Sequence, residues 1–199
     1  MSFFSSLAKR RLAALSVAAA AAVTAPSAAV AGPVTPVPSL DLAKYTGQWR
    51  QIAAIPQWYE ALCYSGTKAD YSIGPGSTVN VNTCQTRGGN DVVSKGRARV
   101  LDTTTNAQLQ VSFLNLFGQW VYFDATPNYV VIAIDPDYRW VVIGSPERTS
   151  AFVLARDVTL APADKAKALD ALAANGFDAS KLSTTRQPGG LQVVQPFNR

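Results

Sequence analysis

Two cysteines, Cys63 and Cys84, are the side chains of this sequence best suited to nucleophilic or redox chemistry. The 199 residues contain no histidine, which excludes Ser-His-Asp and Cys-His catalysis, the HExxH zinc motif and most catalytic zinc sites. Two thiolates are also too few for a four-thiolate metal centre. We therefore expect a protein that is not an enzyme and holds no metal or cofactor, with a thiol-dependent enzyme as the alternative.

The first 31 residues have the pattern of a secretory signal. The basic residues Lys9, Arg10 and Arg11 precede an apolar run at 12–23 and an Ala-Val-Ala cleavage site at 29–31. That run is shorter than the ~20 residues that a membrane span needs. We expect cleavage after residue 31 and an exported, soluble protein, periplasmic or secreted. Because the first cysteine is Cys63, we expect no lipid-modified N-terminal cysteine.

Removal of this leader changes what the net charge implies. Cleavage would remove three of the 18 basic residues and none of the 13 acidic ones, so the formal charge falls from +5 to +2. A mature chain this close to neutral has little electrostatic attraction for phosphates. We therefore expect no nucleic-acid partner.

The elements after the leader are predicted to be short strands and one helix. Residues 32–39 (GPVTPVPS) form a proline-rich spacer that we do not expect to pack. From residue 40 to about 157, short runs alternate apolar and polar side chains between turn clusters, which favours a β-sandwich or an up-and-down barrel. Residues 162–175 predict a helix with Ala166, Leu169 and Leu172 on one stripe, ended by Gly176. The tail 183–199 is expected to be an extended strap or disordered.

A hairpin through residues 74–76 is the most specific strand pairing that the sequence offers. If these three residues form the turn, Tyr71 pairs with Val79 and Ala69 pairs with Val81, so the apolar faces of both strands coincide. In the same way, Leu109 and Val111 share one face of a later strand. Each strand then has one apolar and one polar face, as an antiparallel sheet around a single interior requires.

Several motifs occur in a specific order along residues 40–189. A Gly47-Gln48-Trp49 motif in YTGQWRQIA (45–53) begins the first strand, DPDYR (135–139) joins two late strands, and Arg156 ends FVLARD (152–157) before the single helix. In this order the motifs resemble the lipocalins, most closely the bacterial lipocalin and apolipoprotein D branch. The resemblance implies an all-β fold with one C-terminal α-helix: an eight-stranded antiparallel up-and-down barrel over 40–182, with the helix outside and a ligand cup inside.

The resemblance also implies structural roles for the motif residues. Trp49 would pack across the closed end of the barrel with the Arg156 guanidinium over its ring, a cation–π contact of about 0.5–2 kcal/mol. Gly47 would let the backbone pass closely there. Asp135 and Tyr138 would be turn and packing residues, and none of the five would bind the ligand.

The cup wall is predicted from the inward parity of the strands, and its rim from exposed aromatic residues. These candidates contain no charged side chain, which favours a neutral or amphiphilic guest such as a fatty acid, a lysophospholipid or a similar lipid. The small alanines leave volume in the interior. The candidate ligand-binding residues are Ala53, Ile55, Trp58, Tyr59, Ala69, Tyr71, Val79, Val81, Ala98, Leu109, Val111, Phe113 and Tyr122.

Oxidation of the two cysteines depends on a bend in the chain. Export favours a Cys63–Cys84 disulfide, but the predicted hairpin places Cys84 opposite Gly66. That offset of three residues corresponds to ~10 Å in regular strand, which is too far for a disulfide. A bend at residues 65–66 would remove the offset, and we predict the disulfide on that condition.

The function predicted from the sequence is the binding and carriage of a small hydrophobic ligand. Two alternatives stay open: an enzyme on the same scaffold that acts on a lipid through a cysteine thiol, and a loop-mediated protein-interaction module with a filled core. Transient contact of the rim with a membrane surface and a homodimer are further partner predictions. Trp58 and Tyr59 would contact the guest at the rim or lie in a loop folded over its own hydrophobic cluster, and the aromatic segment 115–128 would reach the rim or mediate dimer contacts.

Overall fold

The structure is a computed structural model that describes residues 32–74 and 77–199. The predicted signal segment 1–31 lies outside the described residues. The strands are β1 Gly47–Ala54, β2 Ser65–Gly74, β3 Ser77–Gln85, β4 Asp91–Val100, β5 Gln108–Ser112, β6 Asn115–Leu116, β7 Gln119–Trp120, β8 Tyr129–Ile134, β9 Trp140–Gly144, β10 Ala151–Ala155 and β11 Ser183–Thr184. The α-helices are α1 Leu42–Tyr45 and α2 Pro162–Ala174, and 3-10 helices span Trp58–Glu60 and Ala179–Lys181.

Eight strands of the described chain close into one barrel. β1 to β5 and β8 to β10 pair antiparallel with their neighbours in chain order, and β10 pairs back with β1 to complete the circle. β11 adds a short pairing to the edge of β1, and β6 and β7 form a separate hairpin. The predicted eight-stranded antiparallel up-and-down barrel with one long helix is therefore confirmed.

The register between β2 and β3 differs from the prediction by one residue. Gly74 pairs with Ser77, so two residues rather than three separate the strands, and Tyr71 pairs with Asn80. Because side chains alternate along a strand, a slip of one residue moves a whole set of side chains to the other face.

The slip decides which side chains of β3 enter the barrel. Asn80, Asn82 and Cys84 line the interior, whereas Val81 pairs with Asp70 on the outward face. The predicted cup position of Val81 is therefore wrong. The backbone of Val79 pairs with Ser72, and its side chain, which was also predicted to line the cup, lies outside the part of the chain that the structure describes. An amide-bearing face replaces the expected apolar one.

A bulge in β1 overturns two further positions. The pairing of β1 with β10 shifts by one residue between Gln51 and Ala53. Trp49 and Gln51 point inward, but after the bulge Ala53 and Ile55 lie outside the barrel, in the cluster that packs against α2. Their predicted place in the cup wall is wrong, because the extra residue of the bulge reverses the inward and outward alternation that was counted from Trp49.

The long helix covers the outer face of the late strands. Ala168 and Leu172 are fully buried against this face, and Phe177 packs behind Gly144, where a Cβ would lie 2.2 Å from the Phe177 Cζ atom. The buried stripe of α2 is Asp164, Ala168 and Leu172, with Leu169 partly buried, whereas Ala166 is exposed. The helix ends before Gly176, whose φ is +74°.

The C-terminal tail is an ordered strap over the gap between β1 and β2. These strands pair only as far as Arg50 and Lys68. Beyond that point, the buried Gln187 side chain donates hydrogen bonds to the main-chain oxygens of Gln51 and Thr67, at 2.9 and 2.8 Å. Phe197 is buried in the outer cluster. Of the two conformations expected for 183–199, the strap is the one observed.

The spacer before the barrel packs, contrary to the prediction. The Val37 amide donates to the Val131 oxygen at 2.8 Å, and the Thr35 amide donates to the Asn175 side chain at 2.8 Å. Val34 and Val37 are partly buried against the two core clusters. The residues between the prolines supply the hydrogen-bond donors that hold this segment.

A bend joins the two cysteines. Cys63 and Cys84 form a disulfide with their Cα atoms 5.4 Å apart. The pairing of β2 with β3 shifts between Ser65 and Lys68, and Gly66 adopts a φ of +66°, which favours glycine. The condition set for the disulfide is met, and the disulfide is confirmed.

Within the described residues, none of the helices combines the length and the apolar character that crossing a membrane would require.

Candidate ligand-binding cup

The closed end of the barrel is sealed by Trp49 and Arg156. Trp49 is fully buried, its indole donates to the Tyr45 oxygen at 2.8 Å, and the Arg156 guanidinium carbon lies 3.7 Å from the ring centroid. The guanidinium donates to the main-chain oxygens of Lys44, Thr46 and Gln48 at 2.8–2.9 Å. These contacts fix the entry of β1, and they leave Arg156 no role in the interior.

Gly47 has a specific reason to be glycine. Its φ is +90°, and a Cβ at this position would lie 3.3 Å from the Arg156 Nη1 atom. Any other residue would carry backbone strain and press on the guanidinium.

The turn between β8 and β9 is held by Asp135 and Tyr138. Asp135 is buried and accepts hydrogen bonds from the Arg139 Nε and Nη2 atoms at 2.9 and 2.7 Å, which lowers the pKa of its carboxyl group. Tyr138 has a φ of +59°, and its hydroxyl accepts a hydrogen bond from the Asp41 amide at 2.8 Å. Neither residue lines the ligand cavity, and both occupy the turn and packing positions that the resemblance implied.

Above the closed end lies a cavity of about 530 Å³, which we call the cup. Its wall comes from the inward faces of the barrel strands, and its mouth lies among the loops that follow β1, β3, β5 and β9. Apolar side chains on the wall include Ala69, Val92, Val111, Phe152 and Leu154. An interior of this kind excludes a channel but accommodates one small ligand.

A cluster of three tyrosines closes the bottom of the cup: Tyr71 and Tyr129 line it, and Tyr45 lines the small void on their other side. The Tyr129 hydroxyl lies 2.6 Å from the Tyr45 hydroxyl and 3.1 Å from the Tyr71 hydroxyl. Burial raises the pKa of Tyr71 to about 12 and holds the pKa values of Tyr45 and Tyr129 well above the usual 10. The tyrosine trio, Tyr45, Tyr71 and Tyr129, therefore stays neutral at physiological pH.

Amide and hydroxyl groups occupy the middle of the cup. Gln51, Asn80, Asn82 and Ser94 all line it. Asn80 is 3% exposed, and its Oδ1 atom has no hydrogen-bond donor among the described groups. The expectation of an apolar lining is wrong for this part of the wall, because the register of β3 turns its asparagines inward.

The mouth carries aromatic side chains and two charges. Trp58 is 86% exposed, which favours a rim position over a loop folded on its own cluster. Glu60 and Lys68 also line the cup. Burial raises the pKa of the Glu60 carboxyl group, and a hydrogen bond from the Gln51 side chain partly opposes this shift. The mouth therefore adds two charged side chains to a lining whose sequence-predicted candidates carry none.

The structure brings together part of the predicted ligand-binding set. The residues that line the cup are Trp58, Tyr59, Ala69, Tyr71, Val111 and Phe113. Ala98 and Leu109 point inward but lie beneath the trio, around a void of about 10 Å³. Tyr122 lies outside the cup, as do Ala53, Ile55 and Val81.

Tyr122 is directed to the outer face of β4. Its hydroxyl donates to the Arg97 oxygen at 3.1 Å, and the Arg99 guanidinium carbon lies 4.3 Å from its ring centroid. The segment after β5 turns outward because the Ser112 hydroxyl donates to the Val121 oxygen at 2.6 Å. The sequence placed Tyr122 by aromatic character alone, which does not distinguish the two faces.

Other lining residues escaped the sequence analysis. The predicted register turns Asn80 and Asn82 to the solvent-facing side of β3, and the polar Gln51 was not considered as a lining residue. The strand runs that contain Tyr129, Phe152 and Leu154 are too uniformly apolar for alternation to show which side chains face inward. Pairing β10 with the inward face of β1 would have found Leu154, since it lies opposite Gln51.

Comparisons with known proteins agree with this geometry. A family profile described as a lipocalin-like domain matches residues 40–187. The chain is 31% identical over 161 residues to the outer membrane lipoprotein Blc of Escherichia coli K12, covering 78% of this chain and 84% of that protein. It is 27% identical over 152 residues to temperature-induced lipocalin-1 of Arabidopsis thaliana, covering 76% and 81%. Among solved structures, insecticyanin of Manduca sexta superposes with a TM-score of 0.61 at 18% identity, covering 78% and 85%.

Proposed function

Because the chain belongs to the lipocalin family, we propose that it binds and carries or stores a small hydrophobic ligand in the cup, such as a fatty acid, a lysophospholipid or a similar lipid. Members of this family generally bind small hydrophobic ligands. The observation that carries the proposal is a cavity of about 530 Å³ with an apolar wall, a sealed floor and an aromatic mouth. Burial of about ten methylenes at ~0.8 kcal/mol each corresponds to roughly micromolar affinity.

Neither alternative function gains support from the cup. The two cysteines of the chain are joined, so a thiol nucleophile would first require reduction of the disulfide. An interaction module with a filled core is disfavoured by the volume of the cavity. Binding and carriage is therefore the function that we prefer over catalysis.

We also propose that the mouth touches membrane surfaces transiently. Trp58, Leu62, Phe117 and Phe123 are 69–104% exposed on loops of this end. Phe117 sits at the tip of the β6–β7 hairpin with a φ of +53°. The alternative is a homodimer formed through these residues. Size-exclusion chromatography with light scattering measures the oligomeric state, and co-sedimentation with phosphatidylglycerol vesicles measures membrane binding, so the two together distinguish the alternatives.

The site of action that we propose is the cell envelope or the outside of the cell, after cleavage behind residue 31. The relative Blc is named an outer membrane lipoprotein. In this chain both cysteines form the disulfide, which supports a form without a lipid-modified cysteine. The mass of the mature protein purified from its own host tests cleavage and lipidation together.

Titration with the fluorescent probe N-phenyl-1-naphthylamine tests ligand binding in the cup. Ser94 lines the cup, so Ser94→Trp would fill the interior. Val93, the next residue, is 56% exposed on the outer face, and Val93→Trp adds the same side chain outside. We expect saturable binding by the wild type and Val93→Trp, and at least about tenfold weaker binding by Ser94→Trp. No saturable binding by the wild type at tens of micromolar, or equal binding by all three, would contradict the proposal.

A further inference from the structure

Asn80 presents a buried acceptor on the wall of the cup. Its side chain is 3% exposed, and the Oδ1 atom has no hydrogen-bond donor within residues 32–74 and 77–199. In the sheet, Asn80 lies between Tyr71 on β2 and Gly96 on β4. A buried amide oxygen without a donor is unfavourable, and native proteins rarely retain one unless a ligand or solvent completes it.

Gly96 and Phe113 shape the space beside Asn80. A Cβ at Gly96 would lie 2.7 Å from the Phe113 Cε1 atom. The missing side chain therefore admits the Phe113 ring, which lines the cup and reaches the mouth. One side of the Asn80 amide thus faces a glycine and an aromatic ring, neither of which offers a side-chain hydrogen-bond donor.

The tyrosine trio supplies the complementary group. Three hydroxyls carry three protons, and the two hydroxyl–hydroxyl contacts use two of them. One proton is left to donate, and the raised pKa values keep it bound at neutral pH. Tyr71 pairs with Asn80 in the sheet and both line the cup, so this part of the cup offers a donor and an acceptor that are not bonded to each other.

We infer that the guest is an uncharged amphiphile whose hydroxyl or amide N–H reaches the lower half of the cup and donates to the Asn80 Oδ1 atom, which is itself buried and turns toward the cup to accept. This inference rests on the proposed function and narrows its ligand class. A hydroxyl both donates and accepts, so it can satisfy Asn80 and the trio together. A fatty-acid anion cannot do so in either orientation, since its carboxylate only accepts and its methyl end does neither.

Competition against bound N-phenyl-1-naphthylamine tests the inference with three ligands of one chain length: 1-decanol, decyl methyl ether and decanoate. The ether is the more apolar of the first pair, so burial of surface alone would favour it. We expect 1-decanol to bind the wild-type protein about tenfold more tightly than the ether, and more tightly than decanoate. In Asn80→Leu, which keeps the approximate shape of the side chain, the ratio of alcohol to ether should fall below about twofold.

The matched control is Asn82→Leu, one position further along the same face of β3. It removes an amide that lines the cup but is not the orphaned acceptor, so the tenfold ratio should persist. Equal affinity of the alcohol and the ether for the wild type overturns the inference and leaves the proposed function standing. A tenfold preference for the alcohol over the ether that persists in folded Asn80→Leu also overturns the inference. If that variant does not fold, the affinities of the three ligands for the wild-type protein test the inference. Absence of saturable probe binding overturns the proposed function as well.

Discussion

Replacing Arg156 by methionine keeps the apolar stem over Trp49 but removes the guanidinium. Four hydrogen bonds to main-chain oxygens would be lost, three at 2.8–2.9 Å and a longer one from Nε to the Tyr138 oxygen at 3.3 Å, together with a cation–π contact at 3.7 Å. At about 1 kcal/mol for each of the three shorter hydrogen bonds and about 1 kcal/mol for the cation–π contact, the free energy of unfolding should fall by about 4 kcal/mol. That is a large fraction of the roughly 5–15 kcal/mol of a typical domain.

Urea unfolding, followed by tryptophan fluorescence with the disulfide intact, measures this loss. The matched control is Arg87→Met, because the Arg87 guanidinium carbon lies 4.8 Å from the Tyr64 ring centroid at an exposed position. We expect a change within about 0.5 kcal/mol for that variant. A loss below about 1 kcal/mol for Arg156→Met would refute the reasoning, since the closed end would then be stable without its guanidinium.

Two further variants and the reduction of the disulfide test the strap, the disulfide and the buried turn. Gln187→Ala should lower the free energy of unfolding by about 2–3 kcal/mol, because two main-chain oxygens lose their donor; a change near zero in urea unfolding would show that the strap does not hold β1 to β2. Opening the Cys63–Cys84 disulfide, which spans a sequence separation of 21, should cost about 3 kcal/mol by the loop-entropy estimate, measured as the difference between oxidised and reduced protein. The pKa of Asp135 is lowered from 3.8 in the folded state, so its contribution is present above that pH and lost as the pH falls through the folded pKa; Asp135→Asn should flatten this part of the acid-unfolding curve, and an unchanged curve would contradict the assignment.

The barrel could be predicted from the sequence because its signals are local. Alternation along β2 and β5, and the ordered motifs around Trp49, Asp135 and Arg156, depend only on neighbouring residues. The contact of Arg156 with Trp49 at the closed end could be predicted from the family resemblance, because the motifs that carry that resemblance are short and local.

The cup was harder to predict because its lining depends on register. One residue in the β2–β3 turn decides whether Val81 or Asn80 enters the barrel, and one bulge decides the side of Ala53. Neither event leaves a strong signal in composition. Non-local pairings are missed for a related reason: Gln187 contacts a strand more than 130 residues away.

The most direct measurement for a ligand cup is the position of a heavy atom on a bound guest. A crystal of the protein with a brominated long-chain alcohol reports the bromine by its anomalous signal. We predict a peak inside the barrel, within the volume bounded by Tyr71, Asn82 and Phe152. A bromine found only on the outer surface, for example beside Phe117, would contradict the claim that the interior of the barrel is the ligand site.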